Sequence, residues 1–457
     1  MERKNVWETY DEDQMKKCDA ICDEYREFLS AGKTERECVK LTIDAAKKCG
    51  YRDLQEVDEI KSGDKIYAVK MNKMVALFNI GEKSMEDGMA ILGAHIDSPR
   101  LDIKQNPLYE EDGFAYLDTH YYGGIKKYQW VTIPLAIHGV VAKKDGSIID
   151  INIGEDENDP VFCITDLLIH LSAERMEKKA SKVIEGEELD ILFGSIPLAD
   201  EEKDKVKAGV LKILEDKYGF DEEDFLSAEL EVVPAGKARE AGVDSSMIMG
   251  YGHDDRVCAF TSLKAMLAVE NPEYTTCCLL VDKEEIGSVG ATGMQSKSFE
   301  IMVAEILSKM GIQSELALKK CFANSRMLSS DVSAAYDPTF KAAYEKKNAA
   351  FFGKGMVFNK FTGSRGKSGS NDANAEYMAK IRAILDKDGV MFQTSELGKV
   401  DVGGGGTIAY IMALYGMQVI DCGVAVLNMH APWEIVSKAD VYETEKGYEV
   451  FLKNIFS

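Results

Sequence analysis

The stretch Met89-Ala90-Ile91-Leu92-Gly93-Ala94-His95-Ile96-Asp97-Ser98-Pro99 decides the fold. Six apolar residues run straight into a histidine, an aspartate and a proline. A short apolar run with so abrupt an end reads as a buried strand delivering polar side chains at its carboxyl end. Just upstream, Lys65–Lys70 and Met74–Ile80 read as strands around a turn near Asn72. Further upstream the period changes to that of a helix. Met15, Cys18, Ile21, Cys22, Tyr25, Phe28 and Leu29 share one face of residues 12–31, and Gly32 can close that helix. Thr34 followed by Glu37 is a capping box opening a second helix toward Gly50.

Downstream, the texture differs from about residue 98 to 233. Ala115–Leu117, Val131–His138 and Ile148–Ile153 are strand-like. Helical pieces are expected at Ile164–Met176 and Asp200–Tyr218, separated by acidic clusters. This reads as an inserted module between residues 1–97 and 234–457. The second half returns to alternation, with Tyr274–Asp282, Phe299–Lys309, Asn371–Leu385, Gln418–Val424 and Lys438–Ile455 as its elements. Ser437 with Asp440 is a cap signal for the last helix. Strands alternating with helices predict an α/β sheet with helices on both faces. The uncharged stretch Val402–Ile420 carries five glycines, and reads as a glycine loop, a short buried helix and a strand, not as a membrane span.

Composition narrows the function classes. The chain has 457 residues, 45 % hydrophobic and 29 % charged, which is ordinary globular composition. Its formal charge of -23 repels nucleic acid and anionic membrane, so neither is expected as a partner. The ten cysteines form no Cys-x-x-Cys pair, which argues against a zinc ribbon. Free thiols without a leader signal fit a reducing cytoplasm.

Only six histidines are present, and two of them, His95 and His430, follow apolar runs. Acidic residues occupy similar places: Asp254-Asp255 after Gly250-Tyr251-Gly252-His253, Glu284-Glu285 after the strand ending near Asp282, and Asp331 after Ser329-Ser330. In open α/β sheets ligands bind beyond the carboxyl ends of strands. Two histidines and several carboxylates without cysteine favour zinc, manganese or cobalt. Successive residues leaving a strand point to opposite sides, so one of Glu284 and Glu285 can face a metal while its neighbour faces a water. A shared carboxylate, with Asp254 as candidate, can bridge two cations, and a carboxylate that is not a ligand can act as base. In His95-x-Asp97 the aspartate can hold the second ring nitrogen of the histidine. Each signal alone is ordinary: a histidine after a strand is usually structural, and paired acids usually sit in solvated loops. Their order along the chain is the informative feature.

That order resembles a known family. His95-Ile96-Asp97-Ser98-Pro99, Asp282-Lys283-Glu284-Glu285-Ile286-Gly287-Ser288, Ser330-Asp331 and Asn428-Met429-His430 are similar to the motifs of the aspartyl aminopeptidase and vacuolar aminopeptidase I family, over nearly the whole chain. The resemblance implies a two-metal exopeptidase that releases N-terminal residues from peptides. One ion would take His95, Asp254 and Asp331, and the other Asp254, Glu285 and His430. Glu284 would be the general base and Asp97 the residue orienting His95. Because this chain reads His253-Asp254-Asp255-Arg256 where the family usually has Leu-Asp-Asn, Asp255 is the alternative bridge. The ions would be zinc, with cobalt or manganese as alternatives. His170 would reach a neighbouring subunit's site, and Lys354 would lie near the substrate side chain. The resemblance further implies a catalytic α/β domain interrupted by a β-rich dimerisation domain, and a homo-oligomer built as a tetrahedral dodecamer. Acid-specific members carry a histidine three residues after the aspartate ligand, where this chain has Ala334, so a neutral or broader preference is expected. Two other readings compete. One is a dinuclear amidohydrolase acting on N-acyl amino acids or C-terminal residues. The other is a catalytically silent assembly or cargo protein.

Overall fold

The computed structural model describes residues 4–457. Two compact units are present. One comprises the described residues up to Asp97, then Ala238–Met429 and Glu434–Ser457; the other comprises Ser98–Lys237 with His430–Trp433.

The first unit is built on a nine-stranded mixed sheet. Its spatial order is Arg52–Asp53, Lys65–Lys70, Met74–Asn79, Thr276–Val281, Ala90–His95, Arg326–Ser330, Gln418–Gly423, Met356–Asn359 and Phe392–Thr394. The four strands from Thr276–Val281 to Gln418–Gly423 run parallel. Both faces of this centre are buried, which is why Thr276–Val281 and Ala90–His95 read as nearly unbroken apolar runs. Alternate residues feed separate cores. Leu92, Ala94, Cys278 and Leu280 face one core, and Ile91, Cys277, Leu279 and Val281 the other. The first core is closed by helices Glu12–Ala31, Glu35–Lys48, His253–Ala268, Ala375–Lys387 and Lys438–Asn454; the second by Ser298–Lys309, Glu315–Asn324 and Ala409–Ala413. Each fully buried Leu, Ile or Val contributes about 1.5–3 kcal/mol of transfer free energy, so this two-sided burial is what holds the central strands in place. A smaller five-stranded sheet orders Arg239–Ala241, Met247–Gly250, Glu434–Ser437, Ala425–Leu427 and Ser333–Ala334.

The local signals were of unequal quality. The Thr34–Glu37 capping box is complete, with the Thr34 hydroxyl accepting from the Glu37 N–H and Glu37 reaching back to the Thr34 N–H. The Val402–Ile420 stretch forms a glycine loop, the five-residue helix Ala409–Ala413 and the start of a strand. Two expectations are corrected. Ser437 precedes the last helix but makes no capping bond. Asp440 instead accepts the N–H groups of Gly353 and Gly355, a long-range partnership no local spacing encodes. Ile164–Met176 is not one helix, but holds only the 3-10 turn Ile169–Leu171 and the single turn Ala173–Met176. Its apolar residues Leu167, Leu168, Ile169 and Leu171 are exposed, so no core in this chain holds them in a regular helix.

The second unit is a six-stranded antiparallel sheet in the order Ile148–Ile153, Leu135–Ala142, Ala228–Pro234, Arg100–Glu111, Phe114–Tyr122 and Ile191–Gly194, with one regular helix, Lys205–Ile213, packed on it. Gly139 sits at φ +136°, and a Cβ there would lie 1.9 Å from the Glu229 carbonyl oxygen, so only glycine permits this strand pairing. All ten cysteines are free thiols. No helix among the described residues is long and apolar enough to cross a membrane.

Candidate metal centre

Three adjacent parallel strands bring the predicted side chains together. His95 ends the Ala90–His95 strand, Asp331 follows Arg326–Ser330, and Glu284 and Glu285 lie three and four residues beyond Val281, which ends the third strand. These neighbours share one sheet edge, so residues far apart in sequence share one rim. Asp254 enters from the segment between the strand Met247–Gly250 and the helix His253–Ala268. Its backbone and that of Asp255 are not helical, and the peptide bond joining them is cis.

His95 is the hub. Its Nε2 lies 3.3 Å from Asp254 Oδ1, 3.9 Å from Glu284 Oε2 and 4.0 Å from Asp331 Oδ1. Two groups of potential ligands within this unit, His95–Asp254–Asp331 and His95–Glu284–Glu285, have donor atoms within 4.8 Å of one another. The aspartate pair divides its work. Asp254 faces the ring nitrogen of His95, whereas the fully buried Asp255 accepts the backbone N–H of His95 at 3.3 Å.

Asp97 does more than hold a ring. His95 Nδ1 lies 3.0 Å from the main-chain carbonyl of Asp97 and 3.4 Å from its carboxylate. Both Asp97 carboxylate oxygens accept backbone N–H groups, Oδ1 from Glu284 at 3.1 Å and Oδ2 from Glu285 at 3.2 Å. Asp97 therefore pins the turn that carries the glutamate pair.

The electrostatics show crowded negative charge. Burial alone would favour a neutral His95, but Asp254 and Asp97, with Glu284 close by, outweigh it and raise its pKa well above the usual histidine range. Burial, then the neighbouring charges of Asp255 and Glu284, push the Asp331 carboxyl well above its usual range. Buried carboxylates at this spacing favour a cation among them, and their oxygen and imidazole donors suit zinc, cobalt or manganese. The residues present fit a divalent metal.

The remaining candidates have these surroundings. His170 is exposed on the 3-10 turn Ile169–Leu171 of the second unit. Lys354 is half-buried between Gly353 and Gly355, whose N–H groups are fixed by Asp440. His430, at φ +65°, begins the segment grouped with the second unit, and its Nδ1 lies 2.9 Å from the Gly124 carbonyl.

Sequence reasoning missed several supports. The buried Glu434 accepts the backbone N–H of Asp254 at 3.0 Å. The Tyr25 hydroxyl lies 2.6 Å from His253 Nδ1, directly before Asp254. Burial holds that histidine neutral, with its pKa lowered to about 3. A helix-face tyrosine and a strand-start glutamate carry no local signal of such roles.

Known proteins resemble this chain over nearly its whole length. A family model described as Aminopeptidase I zinc metalloprotease (M18) matches residues 28–452. A probable M18 family aminopeptidase 1 of Clostridium acetobutylicum is 62 % identical over 458 residues, covering 99 % of this chain and 98 % of the relative. The crystal structure of an M18 family aminopeptidase from Thermotoga maritima superposes with a TM-score of 0.96 at 46 % identity, covering 99 % of this chain and all of that one. The structure of the S. cerevisiae mApe1 dodecamer shares the fold, with a TM-score of 0.77 at 21 % identity, covering 95 % of this chain and 97 % of that one. The chain belongs to the M18 family of zinc metallo-aminopeptidases.

Proposed function

We propose that this aminopeptidase releases N-terminal residues from peptides using two divalent ions and Glu284 as general base. The supporting observation is the convergence of His95, Asp254, Asp331, Glu284 and Glu285 at one sheet edge, with donor atoms within 4.8 Å in each group. By the family pattern, His95, Asp254 and Asp331 hold one ion, and Asp254, Glu285 and His430 the other. Asp254 is preferred to Asp255 as the shared ligand because Asp255 is turned to the His95 backbone. When bound, the ions supply Lewis acidity to the scissile carbonyl and lower the pKa of water.

The chain's own residues do the rest. Glu284 is partly exposed, so its carboxylate can accept a proton from the attacking water and return it to the leaving amine. Asp97 keeps that carboxylate within reach by holding the Glu284 and Glu285 N–H groups. Lys354 lies near the side chain of the first residue of the substrate. Ala334, where acid-specific relatives carry histidine, points to a neutral or broad preference at that residue.

Assembly completes the reading. The chain forms a homo-oligomer, a tetrahedral dodecamer in the cytoplasm, in which His170 reaches a neighbour's site. The exposed apolar turn around it supports a covered surface, with Leu168 at 55 %, Ile169 at 68 % and Leu171 at 68 % exposure.

Glu284→Gln tests the mechanism: metal content and assembly persist while turnover is lost, and an unchanged rate removes Glu284 as base. A panel of Asp-, Glu-, Leu- and Lys-anilides tests the preference, and strict acidic selectivity overturns it. Free-amine against N-acylated peptides separates this reading from an amidohydrolase.

A further inference from the structure

The loop carrying Glu284 and Glu285 is closed at its base by a pair of residues that lie outside the proposed ligand set. Asp282 directly follows the strand Thr276–Val281 and is fully buried. Its backbone N–H donates to the Thr292 carbonyl at 3.2 Å, and the Thr292 hydroxyl donates to Asp282 Oδ2 at 2.7 Å. These two bonds join the ends of residues 283–291. Within the loop, Lys283, Gly287 and Ser288 all have positive φ, at 69°, 94° and 60°. Two of the three are not glycine, so the backbone is held in a conformation that L residues rarely adopt. Such a conformation persists only when its surroundings impose it. Asp97 supplies one constraint at the tip, on the Glu284 and Glu285 N–H groups. The Asp282–Thr292 pair supplies the other at the base. Lys283 Nζ, 3.3 Å from Asp282 Oδ2, adds charge to the same carboxylate.

We propose that Asp282 and Thr292 are positioning residues, a clamp whose hydroxyl–carboxylate bond sets where the Glu284 carboxylate stands relative to His95. This rests on the reading of Glu284 as the base. The clamp touches neither substrate nor ligand atoms. Its effect is transmitted through the backbone of the loop, and a displacement of about 1 Å at a reacting group costs on the order of a hundredfold in rate.

Thr292→Val keeps the shape and removes the donor, and T292A carries the same expectation without a second methyl group to pack. The measurements are amide hydrogen exchange across residues 283–291, zinc content, and the separate values of kcat and KM for a leucyl anilide. Exchange in that loop rises about tenfold or more, while the rest of the first unit keeps its protection. At the same time kcat falls by about tenfold or more, with KM and zinc content unchanged. Thr292→Ser, which restores the hydroxyl, returns both exchange and kcat to near wild type. Unchanged exchange or unchanged kcat in T292V and T292A overturns the clamp. So does a rate loss that follows lost zinc or that T292S fails to repair. Glu284→Gln separates the two claims. An inactive E284Q beside a fully active T292V removes the clamp alone, whereas an active E284Q removes the base on which it rests.

Discussion

Replacing Asp97 by Asn isolates what its carboxylate does. Both oxygens accept main-chain N–H groups, at 3.1 Å from Glu284 and 3.2 Å from Glu285. A carboxamide keeps one acceptor and turns an NH2 toward the other N–H. One charge-assisted hydrogen bond is lost, and two donors face each other across a part-buried contact. A hydrogen bond to a charged group is worth about 1.5–3 kcal/mol, and the glutamate turn must shift to relieve the contact. If that energy is expressed in the reaction barrier, kcat falls about ten- to 150-fold. The His95 ring keeps its shorter contact, since Nδ1 lies 3.0 Å from the Asp97 carbonyl, which the substitution leaves in place. Hydrolysis of a leucyl anilide, with bound zinc measured on the same samples, decides the matter. A D97N enzyme within about threefold of wild type refutes the reasoning, because the loss expected from one charged bond is larger. So does a fall in rate that tracks lost zinc, because the turn would then not be what the carboxylate controls.

Three other outcomes follow from the same structure. Burial pushes the Asp421 pKa up to about 7, against hydroxyl bonds from Thr407 and Ser329 that lower it. Between about pH 4 and 7 the folded chain therefore keeps a proton the unfolded chain has released, so stability falls as pH rises through that window and levels above it. D421N mimics the protonated form, and urea unfolding should show it gaining on wild type between pH 5 and 7, by roughly 3 kcal/mol, and no further by pH 8; a constant difference contradicts this. Gly423→Ala would place a Cβ 2.1 Å from the Asp331 carbonyl oxygen and 2.8 Å from Cys258 Sγ. Such overpacking costs about 1–3 kcal/mol and displaces Asp331, so both Tm and zinc content should drop, and an unaffected protein rejects the packing. Chelation should lower Tm, since removing a bound cation leaves His95, Asp254 and Asp331 with uncompensated carboxylate repulsion; an equal Tm with and without chelator excludes a metal-stabilised site.

Much of this was legible because it is local. The apolar run before His95 reads as a two-sided strand since every residue of Ala90–His95 is buried, with Ala90, Leu92 and Ala94 in one core and Ile91 in the other. Thr34 and Glu37 cap a helix because residues three apart meet at a helix start. The same logic failed at Ser437 and Asp440, where the spacing is right but the carboxylate is taken by Gly353 and Gly355. It failed again at Ile164–Met176, where Leu167, Leu168, Ile169, Leu171 and Met176 are exposed.

The sequence by itself determined the strand-and-helix alternation, the residue types available to a metal, and their order along the chain. Tertiary structure alone decided that Asp254 and not Asp255 faces His95, that Asp97 holds the glutamate turn, and that Glu434, Asp282 and Thr292 stand behind the site. The reason is range. Capping and periodicity act over three or four residues, whereas Asp97 meets Glu284 across 187 residues and Asp254 meets Glu434 across 180. Such partners are chosen by which strands lie side by side, and that choice is made by burying both faces of one sheet.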